Sequence, residues 1–346
     1  MNPTAVQGNP ASPATDFGDV RAEFRALVSG CGVYDLTART RIALTGSDRV
    51  RWLNGMVTNN VRDLAPCHGL YAFLLNPQGH ILGDLHAYNR GDSLLIESDL
   101  SQLEKLLATF DHYIIMDDVE VADVSEKISA IGIAGPKARE VLHATGLETP
   151  GALPLHFVDQ IWQDVPVTVV RGDSESVESY EIWISPDRLT VLRDALVRAG
   201  AKPVGTVALD MLRIASGIPR YGQDIRERDL PQETEQSRAL HFSKGCYVGQ
   251  EIVERIRSRG SVHRKFTGFE VQGALPALGT KLEADGRTIG EITSVASLPS
   301  TAGDRPVALG YIRRELALPG KQIEVGGTQL SVAPLPFADV FRRDNL

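Results

Sequence analysis

The 346-residue chain reads as an α+β protein that ends in an all-β part, and three observations lead there. A β-α-β-β-β-α-β order runs from Arg39 to Ser125. A similar alternation returns from Lys127, and after Gly260 only short strands with hairpin signals remain.

The stretch RTRIALT, from Arg39 to Thr45, alternates polar and apolar residues and predicts a strand. Ser47-Asp48 then offers a helix cap before RVRWLNGMV, where Val50, Leu53 and Val57 recur at i, i+3, i+7. GLYAFLL and HILGDLHAY flank Asn76-Pro77-Gln78-Gly79, where Pro presets the first central turn position and Gly tolerates the last, so a hairpin is expected. SLLIES adds a strand, and Leu103, Leu106, Leu107 and Phe110 share one helical stripe. VEVADVS closes an elaborated split βαβ unit. From Lys127, ISAIGIA predicts a strand and Gly135-Pro136 opens the helix KAREVLHATG. PVTVVRG and SYEIWIS are strands, and Arg188 to Ala199 is a leucine-striped helix. One more helix spans Val204 to Ser216, before a polar loop from Gly217 to Arg238 that is long enough to carry function or lack order. Beyond Gly260, Asp285-Gly286 and Gly326-Gly327 mark hairpins, and the short strands predict a small antiparallel barrel or sandwich.

Length alone allows two or three domains. A net charge of -8, from 36 Lys and Arg against 44 Asp and Glu, disfavours bulk binding of nucleic acid or anionic lipid. The longest apolar run, Leu70 to Leu75, is far short of a membrane span. Three scattered cysteines, Cys31, Cys67 and Cys246, supply no disulfide framework and no CxxC clamp; a reducing, cytoplasmic location is expected. Met1 to Thr15 has three prolines and no charged side chain, unlike a signal or transit peptide, and reads as a disordered leader.

The densest chemistry lies in Lys244-Gly245-Cys246-Tyr247-Val248-Gly249-Gln250-Glu251, which leads into the helix EIVERIRS. A helix start and the Lys244 cation would both favour a Cys246 thiolate; the alternative is a small buried apolar residue, a description that fits Cys31 and Cys67 better. In the hairpin strand, period two puts His80, Leu82, Asp84, His86 and Tyr88 on one face. If that face lines a cavity, Asp84 can hold a cationic amine, accept a proton or bind the N–H donors of a heterocycle; if it faces water, these are outward residues of a half-buried sheet. No third strong ligand joins the two histidines and the aspartate, so no metal is expected. Arg255, Arg257, Arg259, His263, Arg264 and Lys265 reverse the local charge and read either as a polyanion site or as a solvated face. There is no Walker A, GxGxxG, HExxH or GxSxG pattern.

The string KGCYVGQE resembles the signature of the YgfZ family, folate-binding relatives of the glycine-cleavage T-protein. RIALTGSDRVRWLNGMVTNNV, GLYAFLLNPQGHILGDL, GIPRYGQDI with the later LPQE, KGCYVGQEIVERIRSRG and SVAPLPF extend the likeness from about Thr37 to Phe337, with Gly151 to Ser176 matching least. The resemblance implies a T-protein-like three-domain arrangement: two split-βαβ-type α+β domains and a C-terminal antiparallel β-barrel around a tetrahydrofolate cavity. It places a discontinuous folate-binding domain at 16–123 plus 205–258, an inserted domain at 124–204 and the barrel at 259–346. Asp84 matches the carboxylate that serves folate in T-proteins, but Gly83-Asp84 stands where those enzymes usually carry an Asp-Asp pair. The YTGEDGFE-like stretch is replaced by ESVESYEIWI, which keeps Tyr180 and Glu181.

By this resemblance the chain is a tetrahydrofolate-binding accessory protein for assembly or repair of iron-sulfur enzymes, with Cys246, Lys244 and Asp84 as reactive residues. Asp84, Tyr71, Glu181, Tyr247, Gln250 and Arg255 are the expected folate contacts. Iron-sulfur assembly proteins or client enzymes are the expected partners. A folate-dependent aminomethyl or methyl transferase, acting on a small molecule, protein or tRNA, is the alternative, and an RNA-binding scaffold resting on Arg255 to Lys265 is a third reading.

Overall fold

A computed structural model describes residues 13–341 apart from 261, 285 and 302. Helix α1 (Val20–Ser29) and strands β1 (Gly32–Asp35) and β2 (Arg39–Thr45) are followed by α2 (Arg49–Met56), β3 (Gly69–Leu75), β4 (Ile81–Asn89), β5 (Leu94–Asp99), α3 (Leu103–Tyr113) and β6 (Glu120–Asp123). They build a five-stranded sheet in the order β3-β4-β5-β2-β6. Its apolar face, with Ile42, Leu44, Leu85 and Ile96, packs on Trp52 and Leu53 of α2 and on Leu106 and Phe110 of α3. The β3–β4 hairpin forms at the expected turn, where the Gly79 N–H donates to the Asn76 carbonyl at 2.9 Å and φ of Gly79 is +76°.

Strand β7 (Ser129–Ala134), α4 (Ala138–Ala144), β8 (Phe157–Trp162), β9 (Val165–Arg171), β10 (Ser179–Ile184), α5 (Leu189–Arg198) and the two-residue β11 (Lys202–Pro203) make a second sheet, ordered β11-β1-β7-β10-β9-β8. With β1 set aside, this is the order of the first sheet, so the twice-used sequence pattern is a repeat of topology. The second sheet buries Ile131, Ile133, Val169 and Ile182 under α4 and α5. Strict alternation leaves Glu181 and Trp183 on its other face.

That other face meets the polar face of the first sheet. Tyr88 stands edge-on to Trp183 with ring centroids 4.9 Å apart, and the Arg41 guanidinium lies 5.3 Å over the same indole. Arg39 Nε donates to Glu97 at 2.7 Å, and Arg41 Nη2 lies 3.7 Å from the same carboxylate. Glu97 and Arg41 are fully buried. Burial pushes the Glu97 carboxyl up, but Arg39 and Arg41 outweigh it and hold it at about 2. Glu181 shares the seam, and burial together with the Glu97 charge raises its carboxyl above the ordinary range.

Helix α6 (Thr206–Ala215) packs with α1 against the barrel. Its first amides are capped by chain that was expected to be a leader: Thr206 N donates to Ala14 O and Val207 N to Thr15 O, at 3.0 and 3.1 Å. The rest of that expectation, residues 1–12, lies outside the described residues. The long polar loop after α6 is ordered by buried carboxylates. Asp224 receives Arg213 Nη1 and Ser294 Oγ, both at 2.7 Å, and Asp229 receives Arg264 Nη2 at 2.6 Å, which ties the loop to the barrel.

After α7 (Gln250–Arg259), β12 (Arg264–Gln272), β13 (Lys281–Ala284), β14 (Arg287–Leu298), β15 (Arg305–Arg313), β16 (Gln322–Val325) and β17 (Thr328–Ala333) form one antiparallel sheet, ordered β13-β14-β15-β12-β17-β16. Its edges β13 and β16 approach each other, so it is a nearly closed barrel. Among the described residues no helix is long and apolar enough to cross a membrane.

The seam has a testable electrostatic consequence. A carboxyl raised on folding contributes most at low pH and loses that contribution as pH rises above the ordinary 4.5. Glu181→Gln, which keeps an acceptor for Trp183 Nε1, is therefore expected to unfold at higher urea than the parent at pH 7, with the difference closing at about pH 4. Urea denaturation at the two pH values checks it.

Candidate functional site

Asp84 lies on the polar face of β4, as alternation predicted, and it faces a built environment rather than bulk water. Tyr71 Oη donates to Asp84 Oδ2 at 2.7 Å, and Gln102 Nε2 donates to Oδ1 at 2.8 Å. Gln102 also accepts the Asp84 N–H at 3.1 Å, so this fully buried amide grips both backbone and side chain. A Cβ at Gly83 would come within 2.9 Å of Gln102 Oε1. A side chain at 83 would therefore have to displace the Gln102 amide that grips Asp84. Burial and the Asp84 charge raise the Tyr71 hydroxyl well above its usual range, so it stays a donor.

The Arg238 guanidinium lies over the Tyr71 ring, 4.6 Å from its centroid, and is ion-paired with Asp173. Asp173 also contacts His86 Nε2 at 3.2 Å, while His86 Nδ1 lies 3.4 Å from Arg39 Nη2. Burial lowers His86 to about 4, so its ring is neutral at physiological pH. Two cavities meet here. One of about 160 Å³ is lined by His86, Tyr88, Arg171, Asp173 and Glu181, and one of about 920 Å³ lies between Asp173, Arg238, Gly217 and the barrel residues Lys265, Phe266 and Leu335. Glu181 accepts Trp183 Nε1 at 3.0 Å.

Cys246 is exposed, which removes the reading of a buried apolar residue. It also precedes Gly249, the N-cap of α7, by three positions, so the thiol stands outside the first helical turn and gains less from the helix start than the motif implied. Lys244 is buried, and its ammonium donates to the carbonyls of Asn54, Val57 and Asn59 at 2.5, 2.6 and 2.7 Å. Burial, with Arg62 nearby, lowers it to about 7, yet three carbonyl acceptors use all three of its N–H donors. Instead of resting beside the thiol, this cation closes the C-terminal end of α2 and, with Val248 N on Gly55 O at 3.1 Å, clamps the cysteine loop there. A Cβ on Gly249 (φ +81°) would meet Asn76 O at 2.6 Å, which requires glycine at this point.

Tyr247 is buried in the same apolar cluster as Tyr71, Phe73 and Val253. Gln250 turns back to accept the Tyr247 N–H at 3.3 Å, and Arg255 is exposed on α7. Cys31 is buried, and its thiol is pushed up to about 12, but Cys67, expected to be buried, is exposed. The basic stretch is largely neutralised. Arg257 pairs with Glu254, Arg264 with Asp229 and Glu233, and Lys265 with Glu235. Among the described residues no group of three His, Cys, Asp or Glu could hold a metal ion. Sequence reasoning missed Gln102, Asp173 and Arg238 as parts of the site. Only Gln102 had a local signal, a polar residue just before the leucine stripe of α3, for the other two sit on aperiodic loops.

Two α+β sheets packed face to face, a barrel, and a polar cavity among them are the T-protein fold. The crystal structure of glycine cleavage system aminomethyltransferase T from Bartonella henselae matches it with a TM-score of 0.82, covering 92% of this chain and 89% of that one at 22% identity. The chain belongs to the glycine cleavage T-protein family: residues 9–244 match its GCVT N-terminal domain and residues 264–339 its C-terminal barrel domain. Similar relatives include an aminomethyltransferase of Rubrobacter xylanophilus, 28% identical over 95% of this chain and 88% of the relative. A putative chloroplastic transferase of Arabidopsis thaliana is 26% identical over 87% and 69%.

The clamp predicts opposite outcomes for neighbouring residues. Lys244→Met strands three carbonyls and is expected to cost about 3 kcal/mol or more, whereas Cys246→Ala is expected to change stability by less than about 0.5 kcal/mol. Urea denaturation monitored by tryptophan fluorescence measures both.

Proposed function

We propose that this chain is a tetrahydrofolate-binding protein of the YgfZ type, which supports assembly or repair of iron-sulfur enzymes in the cytoplasm through the Cys246 thiol. The observation that carries the reading is Asp84, held by Tyr71 and Gln102 on the strand face whose next residue, His86, lines the smaller cavity, with an exposed cysteine on a loop rooted in the same apolar cluster as Tyr71. The acceptors fit a flat heterocycle with several N–H groups: Asp84 and Glu181 present carboxyl oxygens from opposite sheets. When bound, tetrahydrofolate supplies one-carbon chemistry. Asp84 would orient it and stabilise positive charge on a ring nitrogen, while Tyr71 and Gln102 keep that carboxylate in place. Residues 16–123 with 205–258 would form the folate-binding unit, 124–204 the inserted unit and 259–346 the barrel.

A second reading, aminomethyl transfer, is favoured by the names of relatives such as that of Rubrobacter xylanophilus and by the presence of Asp84. Gly83 weighs against it, because the second carboxylate of the usual pair is absent and a side chain there would push on the Gln102 amide that holds Asp84. Formation of methylene-tetrahydrofolate from an aminomethyl donor would establish transfer; no turnover by folate-bound protein is expected.

Titration of the protein with tetrahydrofolate is expected to show saturable binding that Asp84→Asn weakens by about tenfold or more, as the loss of a charge-assisted hydrogen bond requires. Cys246→Ala is expected to bind folate normally yet fail to restore iron-sulfur enzyme activity in cells lacking the protein. Absence of folate binding overturns the cofactor, and full restoration by Cys246→Ala overturns the thiol's role.

A further inference from the structure

The geometry points to Asp173 as a displaceable counter-ion of Arg238, which makes the site select ligands that carry an anionic tail. The inference rests on the tetrahydrofolate reading and adds to it a residue that sets specificity. Asp173 belongs to the loop between β9 and β10, in the stretch GDSESVES where the sequence leaves the T-protein pattern. Its carboxylate pairs with Arg238 and accepts from His86. With Ser174 it lines both the 160 Å³ and the 920 Å³ cavity, and so forms the wall between them. A ligand that reaches from Glu181 and His86 into the larger space must pass where Asp173 now sits.

The charge balance decides which ligands can do so. Arg238 is about one-third exposed, but its guanidinium is held over the Tyr71 ring against the Asp173 carboxylate, so a ligand that displaces Asp173 without replacing its charge forfeits that ion pair. A ligand carboxylate that takes the place of Asp173 keeps the ion pair and frees the aspartate to reach water. A neutral ligand of the same ring chemistry must leave Arg238 unpaired. Lys265, the other cation on the wall of the large cavity, is already paired with Glu235 at 2.8 Å. The loop is built to move. It is tied at its ends by Gly172 N on Ser179 O at 2.8 Å and by the buried Val177, while among the described residues no backbone-to-backbone hydrogen bond holds 173–176. Neutral His86, with Nδ1 toward Arg39, keeps Nε2–H as the donor, and this N–H faces the small cavity once Asp173 withdraws.

The test compares tetrahydrofolate with tetrahydropterin, which lacks the aminobenzoylglutamate tail, on the parent protein and on the isosteric Asp173→Asn. The parent is expected to prefer tetrahydrofolate strongly. Asp173→Asn is expected to bind tetrahydropterin about tenfold better and to narrow the preference by the same factor, as removal of a competing counter-ion implies. An unchanged preference overturns the proposal, as does loss of tetrahydrofolate binding in Asp173→Asn, which would make Asp173 a ligand contact. If neither compound binds either protein, the folate reading fails by itself. Amide hydrogen exchange of residues 172–179 without ligand then decides: faster exchange in Asp173→Asn supports the displaceable wall, and unchanged exchange overturns it.

Discussion

The buried charge between the two sheets is the constraint on which the rest depends. Glu97 has no exposure to water, and it is tolerable there only because Arg39 and Arg41 approach it from the neighbouring strand. An apolar interface would have packed closed like the helix-covered faces. A charged one keeps polar groups facing one another across the gap, and Tyr88, His86, Glu181 and Asp84 extend the layer to its rim. Among the described residues Arg41 Nε and Nη2 have no hydrogen-bond partner, the guanidinium lying over Trp183 with Nη2 3.7 Å from Glu97. The small cavity beside Glu181 is the end of this seam.

Two chemically distinct groups grow from that seam. Asp84 is a gripped carboxylate, its two oxygens engaged by Tyr71 and Gln102 and its surroundings enclosed. Cys246 is the opposite case, an exposed thiol on a rigid loop. The rigidity comes from Lys244, whose ammonium satisfies carbonyls at the end of α2, and from Tyr247, which roots the loop in the apolar cluster shared with Tyr71. A reactive side chain on a clamped loop keeps its position without being buried, and the same cluster joins it mechanically to the carboxylate site.

Much of this architecture is legible one strand at a time. Alternation in HILGDLHAY assigns the faces of β4 correctly, because the strand buries one side under helices and period two then dictates the other. The turn at Asn76 to Gly79, the Gly326-Gly327 hairpin and the leucine stripes of α3 and α5 follow from equally local causes. Local reasoning fails where partners are far apart in sequence. Lys244 reads as a cation for its neighbour Cys246, yet its acceptors lie nearly two hundred positions earlier. Arg264 and Lys265 read as part of a charged patch, yet their partners Asp229, Glu233 and Glu235 come from the loop after α6.

The sequence by itself thus determined most of the elements, though not α1, β1, β8 or β11, together with the faces of β4, the repeated pattern and the motif that carries the family resemblance. These depend on residue spacing, and spacing is a property of the chain alone. Only the tertiary structure decided that the two polar sheet faces meet, that Asp84 is enclosed by Tyr71 and Gln102, and that Asp173 and Arg238 stand between two cavities. Such contacts join strands and loops whose sequence separation leaves no periodic trace, and the energy of a buried charge depends on which groups surround it in space.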